Sequence, residues 1–202
     1  MSSTTSAQLF SEPENDHQVM ASWERFLNGD EGGADADAMD LIRTSALNAS
    51  VRLKFARLAF GASGSVGASI DTGEAEKAAK DFALAEKKTE VTWNGPRAII
   101  AKNRVKLLLN LFLVAYGAIP RGGSLDITLE NPETDAKFKI VAKGRMLRVP
   151  PKYQEILSGH LEEAVDAHTI QPYYTILLAD ECGMELKCVP SEGEIAFTAE
   201  VV

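Results

Sequence analysis

Between residues 39 and 60, Met39, Ile42, Ala46, Ala49, Leu53, Ala56 and Phe60 step alternately by three and by four. That spacing is a heptad seam, an apolar stripe that stays on one side of a helix and packs against other helices. Several seam residues are alanine, which lets a neighbouring helix approach closely. A hairpin of two helices this long cannot bury both of its sides alone, so the spacing predicts dimerisation into a four-helix bundle.

The other helix of the hairpin is expected just upstream. Residues 1–10 are polar; Ser11 and Glu14 then offer a capping box, with Pro13 tolerated in the first turn. Val19, Met20, Trp23, Phe26 and Leu27 fall on one face, and Asn28 with Gly29 supplies a stop. The tract DEGGADADA makes the turn into the seam helix. After Phe60 comes GASGSVGAS, residues 61–69, which has glycines but no Lys followed by Ser or Thr, and no strand before it. It reads as a linker rather than a phosphate loop, placing a domain boundary between a helical hairpin, 1–66, and a second domain, 67–202.

In the second domain the pattern predicts helices at 73–87, 102–116, 151–157 and 172–182, the helix at 102–116 being strongly apolar. Strands are expected at 89–93, 124–130, 136–142, 184–189 and 194–201. Antiparallel strands interleaved with helices imply an α/β sandwich with the helices on one face of the sheet, so the fold class of the whole chain is α+β.

Charge narrows the function classes. The 29 acidic residues outnumber the 21 basic ones, giving a net charge of −8, which argues against coating nucleic acid or an anionic membrane. Protein partners or small ligands fit better. No run approaches the length a membrane span needs, and MSSTTSAQLF lacks both the basic and the apolar regions of a signal peptide, so a cytoplasmic location is expected. Cys182 and Cys188 are too few and too close for a disulfide framework and read as reduced packing residues.

The segment VKLLLNLFLVAYGAIPRGGSLDITL, residues 105–129, resembles the N-box of the histidine-kinase ATP-binding fold. There an apolar helix carries a magnesium-binding asparagine, then a Pro-x-Gly-Gly turn leads into a strand. Asn110 stands one turn before the functional position, which falls on Val114, and an apolar side chain offers no oxygen to a hard cation. The adenine-recognition motif Asp-x-Gly-x-Gly aligns with Ala142, Lys143, Gly144, Arg145 and Met146, so its carboxylate is gone and bulk replaces a glycine. The Gly-x-Gly-Leu box is replaced by Gln171, Pro172, Tyr173 and Tyr174, which removes a cradle of glycine amides. The resemblance therefore implies a retained scaffold that has lost ATP binding, with Tyr173 and Tyr174 filling the old pocket.

A helical hairpin followed by such a degenerate kinase domain resembles the ChpT family, the histidine phosphotransferases of alphaproteobacteria. The stretches DEGGADADAMDLIRTSALNASVRLKFARLAFGA, KNRVKLLLNLFLVAYGAIPRGGS, GRMLRVPPKY and DAHTIQPYYTILLADECGM carry the likeness over roughly residues 30–202. It implies a homodimeric four-helix bundle joined to a degenerate histidine-kinase ATPase-like α/β sandwich. It also implies a cell-cycle phosphorelay in which phosphoryl groups pass from the receiver domain of a CckA-like hybrid kinase to CtrA-like and CpdR-like response regulators. No ATP, metal or other cofactor is expected to serve the phosphotransferase itself.

That family carries its phosphoacceptor histidine in the first helix, in a His-Asp-x-x-Ser-Pro motif absent from this chain. Counting back from the DEGG turn puts the acceptor position on Pro13, and His17 follows one helical turn later. On a helical wheel His17 lies about 120° from Trp23, at the border of the buried face, a placement that suits an acceptor. Asp16 is the acidic neighbour, and Gln18 stands where the family has a carboxylate. The competing reading makes His17 an ordinary solvated residue of a docking protein without an acceptor. His160 and His168 flank an acidic segment with no third ligand at useful spacing and read as surface or capping residues. Arg145 and Arg148 either solvate the fold or contact acidic partner surfaces.

Overall fold

The computed structural model describes residues 20–21, 24, 34–61, 68–86, 89–159, 165–167 and 169–202. Met20, Ala21 and Glu24 are helical, and the rest of the expected first helix lies outside the described residues. So does the linker segment 62–67. The chain divides into two compact units, residues 1–50 and 51–202.

The seam helix is α1, Ala34–Phe60. In the first unit its seam faces solvent: Met39 is 61% exposed, and Ile42, Ala46 and Ala49 are exposed too. Leu53 and Phe60 continue that open stripe in the second unit. A different face of α1 is buried there. Phe55 and Ala59, one turn apart and outside the heptad, enter the core, Phe55 lying 4.7 Å from the Phe82 ring and 5.7 Å from the Phe112 ring.

The second unit continues with β1 (Ser69–Asp71), α2 (Thr72–Glu86), β2 (Thr89–Asn94), β3 (Ile99–Ala101) and α3 (Lys102–Gly117). Then come β4 (Gly123–Glu130), β5 (Lys137–Lys143), α4 (Pro151–Leu157), α5 (Ile170–Cys182), β6 (Met184–Ser191) and β7 (Glu194–Val201). Five strands form one sheet in the order β2-β4-β5-β7-β6. The expected antiparallel sheet is in fact mixed: β2 runs parallel to β4, pairing Thr89 with Gly123 and Asn94 with Thr128, while the other neighbours are antiparallel. The parallel pair requires a crossover, which α3 provides.

Alternation assigns the sheet its faces. Leu125, Ile127 and Leu129 on β4, Phe138, Ile140 and Ala142 on β5, and Ile195, Phe197 and Ala199 on β7 are all buried. Against that surface lies α3, whose residues from Val105 to Phe112 are buried without a break, followed by Val114 and Ala115. A helix so uniformly apolar needs cover on every side, and α2 and α5 pack along it. The outward face carries a charged ladder in which Asp126 accepts from Thr92 Oγ1 (2.6 Å) and Lys143 Nζ (3.0 Å). Those donors hold the Asp126 carboxyl below its ordinary range.

A small antiparallel pair, β1 with β3, was not expected from the pattern, since three residues are too few to show a period. Thr72 fastens it to α2: its buried hydroxyl accepts from the Ala98 amide (3.0 Å) and donates to the Pro96 carbonyl (3.2 Å). Asp71 caps α2, its carboxylate accepting from the Gly73 amide at 2.7 Å. Cys182 and Cys188 are both free and half-buried. Burial pushes the Cys182 thiol up to about 11, which leaves it protonated and inert at neutral pH. Among the described residues no helix is long and apolar enough to cross a membrane.

Phe55 joins the end of α1 to α2 and α3 through aromatic packing. Truncation in Phe55→Ala is expected to lower unfolding free energy by about 3–5 kcal/mol, read from the shift of a urea unfolding curve. A loss below about 1 kcal/mol would show that the end of α1 is not part of this core.

Candidate functional site

The N-box-like helix α3 places Asn110 at its centre, 0% exposed. A buried amide needs partners, and this one has them on three elements. Its Nδ2 donates to the Lys106 carbonyl one turn earlier (2.9 Å) and to the Ala59 carbonyl of α1 (2.9 Å). Ala59 lies in the last turn of α1, where carbonyls lack an intrahelical donor, so Asn110 acts as a C-terminal cap supplied by another helix. The preceding carbonyl in need, that of Arg57, is met by the Gly61 amide at 3.0 Å.

The third partner comes from the residues that replace the glycine box. Gln171, in the first turn of α5, points its Nε2 at the Asn110 carbonyl (3.0 Å), at Asn110 Oδ1 (3.3 Å) and at Thr175 Oγ1 (3.1 Å). Thr175, itself 0% exposed, donates back to the Gln171 carbonyl at 2.9 Å. Pro172 is buried beside it, and the Tyr174 ring stands 6.0 Å from Phe60 at the end of α1. Gln171 makes the polar contacts here, and Tyr173 and Tyr174 are both half-buried. A glutamine facing an asparagine across two helices has no signature in periodicity, and only its position in the displaced box could have pointed to it.

The other two box positions are apolar and closed. Val114 is 2% exposed and Ala142 is 0% exposed, Ala142 pairing with Leu125 and Ile195 in the middle of the sheet. Neither supplies an oxygen to a cation or an acceptor to an adenine amine. The Pro-x-Gly-Gly turn keeps its backbone shape. Gly122 has φ +83° and Gly123 φ +157°, and a Cβ on Gly123 would collide with the Lys143 carbonyl oxygen.

Beside that turn, Arg121, Gly144 and Arg145 line a cleft of about 570 Å³ together with Lys143, and Arg121 with Arg148 lines a second of about 600 Å³. Arg145 and Arg148 are exposed. Lys143 is held protonated by its bond to Asp126, with Glu194 nearby at 3.7 Å. The rim beside this turn is therefore basic.

All three histidines, His17, His160 and His168, lie outside the described residues, as do Pro13, Asp16 and Gln18. Among the described residues no group of three or more His, Cys, Asp or Glu is arranged to hold a metal ion.

Comparison with known proteins decides the relationship. Residues 72–194 match the model of the histidine phosphotransferase C-terminal domain. The chain belongs to the histidine phosphotransferase family. Within that family it is similar to the protein phosphotransferase ChpT of Brucella abortus (strain 2308), at 56% identity over 172 residues, 85% of this chain and 82% of that protein. A solved structure of a bacterial phosphotransferase is 51% identical and superposes with a TM-score of 0.77 over 92% of this chain and 91% of the other. The catalytic domain of the histidine kinase ThkA shares the fold at 17% identity, with a TM-score of 0.50 over 68% of this chain and 95% of that one. A member of the phosphotransferase family that shares the kinase fold thus carries the Asn110–Gln171 pair on α3 and α5.

Replacing the Asn110 side chain strands the Ala59 carbonyl, while Gln171 keeps the main-chain carbonyl of residue 110 and Thr175 Oγ1. Asn110→Leu, close in volume, is expected to cost about 2–4 kcal/mol in urea unfolding, because the Ala59 carbonyl then has no donor in the core. A loss below about 1 kcal/mol would contradict the capping role of Asn110.

Proposed function

We propose that this chain is a homodimeric phosphoryl carrier of a two-component phosphorelay, with His17 as its acceptor. The observation that carries the reading is the 56% identity to a protein phosphotransferase along 85% of the chain. Support for dimerisation comes from the α1 seam, whose Met39, Ile42 and Leu53 lie open to solvent in a single chain. Residues 1–66 form the dimerising and phosphoaccepting hairpin, and residues 67–202 the degenerate ATPase-like domain. The donor is the receiver domain of a CckA-like hybrid kinase; the recipients are receivers of CtrA-like and CpdR-like regulators in a cytoplasmic cell-cycle circuit.

The chemistry follows from the imidazole. One neutral ring nitrogen attacks the phosphorus of the receiver's aspartyl phosphate; the P–O bond to the carboxylate breaks, a P–N bond forms, and the carboxylate leaves as the anion. An acidic neighbour such as Asp16 holds the proton on the other nitrogen. The second half-reaction reverses these steps on the next receiver, so no ATP is consumed. Most of the catalysis is positioning of the two proteins, with magnesium brought by the receiver. The basic rim of Arg121, Arg145 and Arg148 suits a surface that steers acidic partners.

A second reading keeps the docking and drops the transfer. It is favoured by Gln18, which stands where the family has a carboxylate. Incubation with a phosphorylated, radiolabelled receiver domain separates the two: the first predicts acid-labile label on wild type and none on His17→Ala. Equal labelling of both proteins would place the acceptor elsewhere. Measurable receiver binding without label would leave the docking protein.

The dimer has its own test. Leu53→Asp puts a charge on the exposed seam, and sedimentation equilibrium should then report a monomer where the wild type is a dimer, with a receiver-independent loss in self-association of at least tenfold. Identical masses for the two proteins would remove the seam from the dimer interface.

A further inference from the structure

A cleft of about 500 Å³ opens within the second unit, on residues that the phosphoryl-transfer reading does not use. Its floor is apolar, formed by Leu58 of α1, Ile70 of β1 and the buried Ala78 of α2. Lys54 and Arg57 stand on one wall, three residues apart and so on the same side of α1. The facing wall is α2, with Glu74, Lys77 and Asp81.

Charge is distributed unequally between the walls. Lys77 is bound to Asp81 at 2.8 Å, which neutralises that pair and leaves Glu74 as the remaining charge on the α2 side. Lys54 and Arg57 pair with no carboxylate among the described residues. With Lys102 at the edge, four cations meet two carboxylates in a chain whose net charge is −8. Two unsatisfied cations above an apolar floor, in a cleft of small-molecule size, are the features of a site that orients a ligand by its charge and holds it by its body. Glu74 repels an anion from the far wall and so places it against α1.

We propose that this cleft binds a small amphipathic anion, a carboxylate or phosphate monoester carried on an apolar body, with Lys54 and Arg57 on the charged group and Leu58, Ile70 and Ala78 on the apolar part. The site uses none of the residues assigned above to phosphoryl transfer or to the basic rim.

The test is methyl-resolved NMR of the full chain titrated with 1-naphthyl phosphate, with 1-naphthol as its neutral counterpart, for the wild type and for the double variant Lys54→Ala with Arg57→Ala. The expected result is saturable shifts confined to the methyls of Leu58, Ile70 and Ala78. Affinity should be at least about tenfold weaker for 1-naphthol and for the double variant, which removes only exposed side chains and should leave the circular dichroism spectrum unchanged. Shifts centred elsewhere, equal affinity for the neutral compound, or an unaffected double variant would each overturn the proposal. An acidic amphipathic peptide that binds the same methyls more tightly than 1-naphthyl phosphate would also overturn it, by assigning the cleft to a protein partner.

Discussion

The amide of Asn110 holds three helices in place. It donates to the last turn of α1, sits at the centre of α3, and receives Gln171 from the first turn of α5. Everything around it is apolar: Leu107, Leu108, Leu109, Leu111 and Phe112 are fully buried. In such surroundings a polar side chain is costly unless its groups are met, and once met it fixes one arrangement out of the many that leucines would tolerate. The end of α1 is held by this pair together with Phe55, within the second unit.

This arrangement gives physical content to the idea of a kinase scaffold without kinase chemistry. A nucleotide pocket must keep polar groups uncommitted and space open for a ligand. Here the glutamine that replaces a glycine box is spent on an asparagine of α3 and on Thr175, and the positions of the cation and adenine ligands are Val114 and Ala142 inside the core. The polar groups bond to one another inside the fold and stabilise it. What the scaffold retains is the mixed five-stranded sheet with its packed helices and a basic rim beside the Gly122–Gly123 turn.

Much of the second domain was legible in the sequence because its elements are long and strongly patterned. The apolar run of α3 and the alternation of β4, β5 and β7 locate those elements to within a residue or two of their observed ends. The parallel pairing of β2 with β4 was not legible, since alternation reports which side of a strand is buried and is silent about direction. Three-residue β1 and β3 carry no period at all. On helix α1 the heptad residues Met39, Ile42, Leu53 and Phe60 are exposed, while Phe55 and Ala59 on another face enter the core, a burial that the heptad does not report. Asn110 was noticed for its position relative to a metal ligand, whereas its role depends on where the Ala59 carbonyl ends up, a property of the tertiary fold.

The central claim is that the pocket has been exchanged for an internal lock, and the most direct measurement is a calorimetric titration of the full chain with ATP in the presence of magnesium, repeated with ADP. The account predicts no saturable heat up to millimolar nucleotide. Saturable binding with a dissociation constant in the micromolar range, carrying the magnesium dependence of a kinase, would contradict it and require Gln171 to release Asn110 when nucleotide enters.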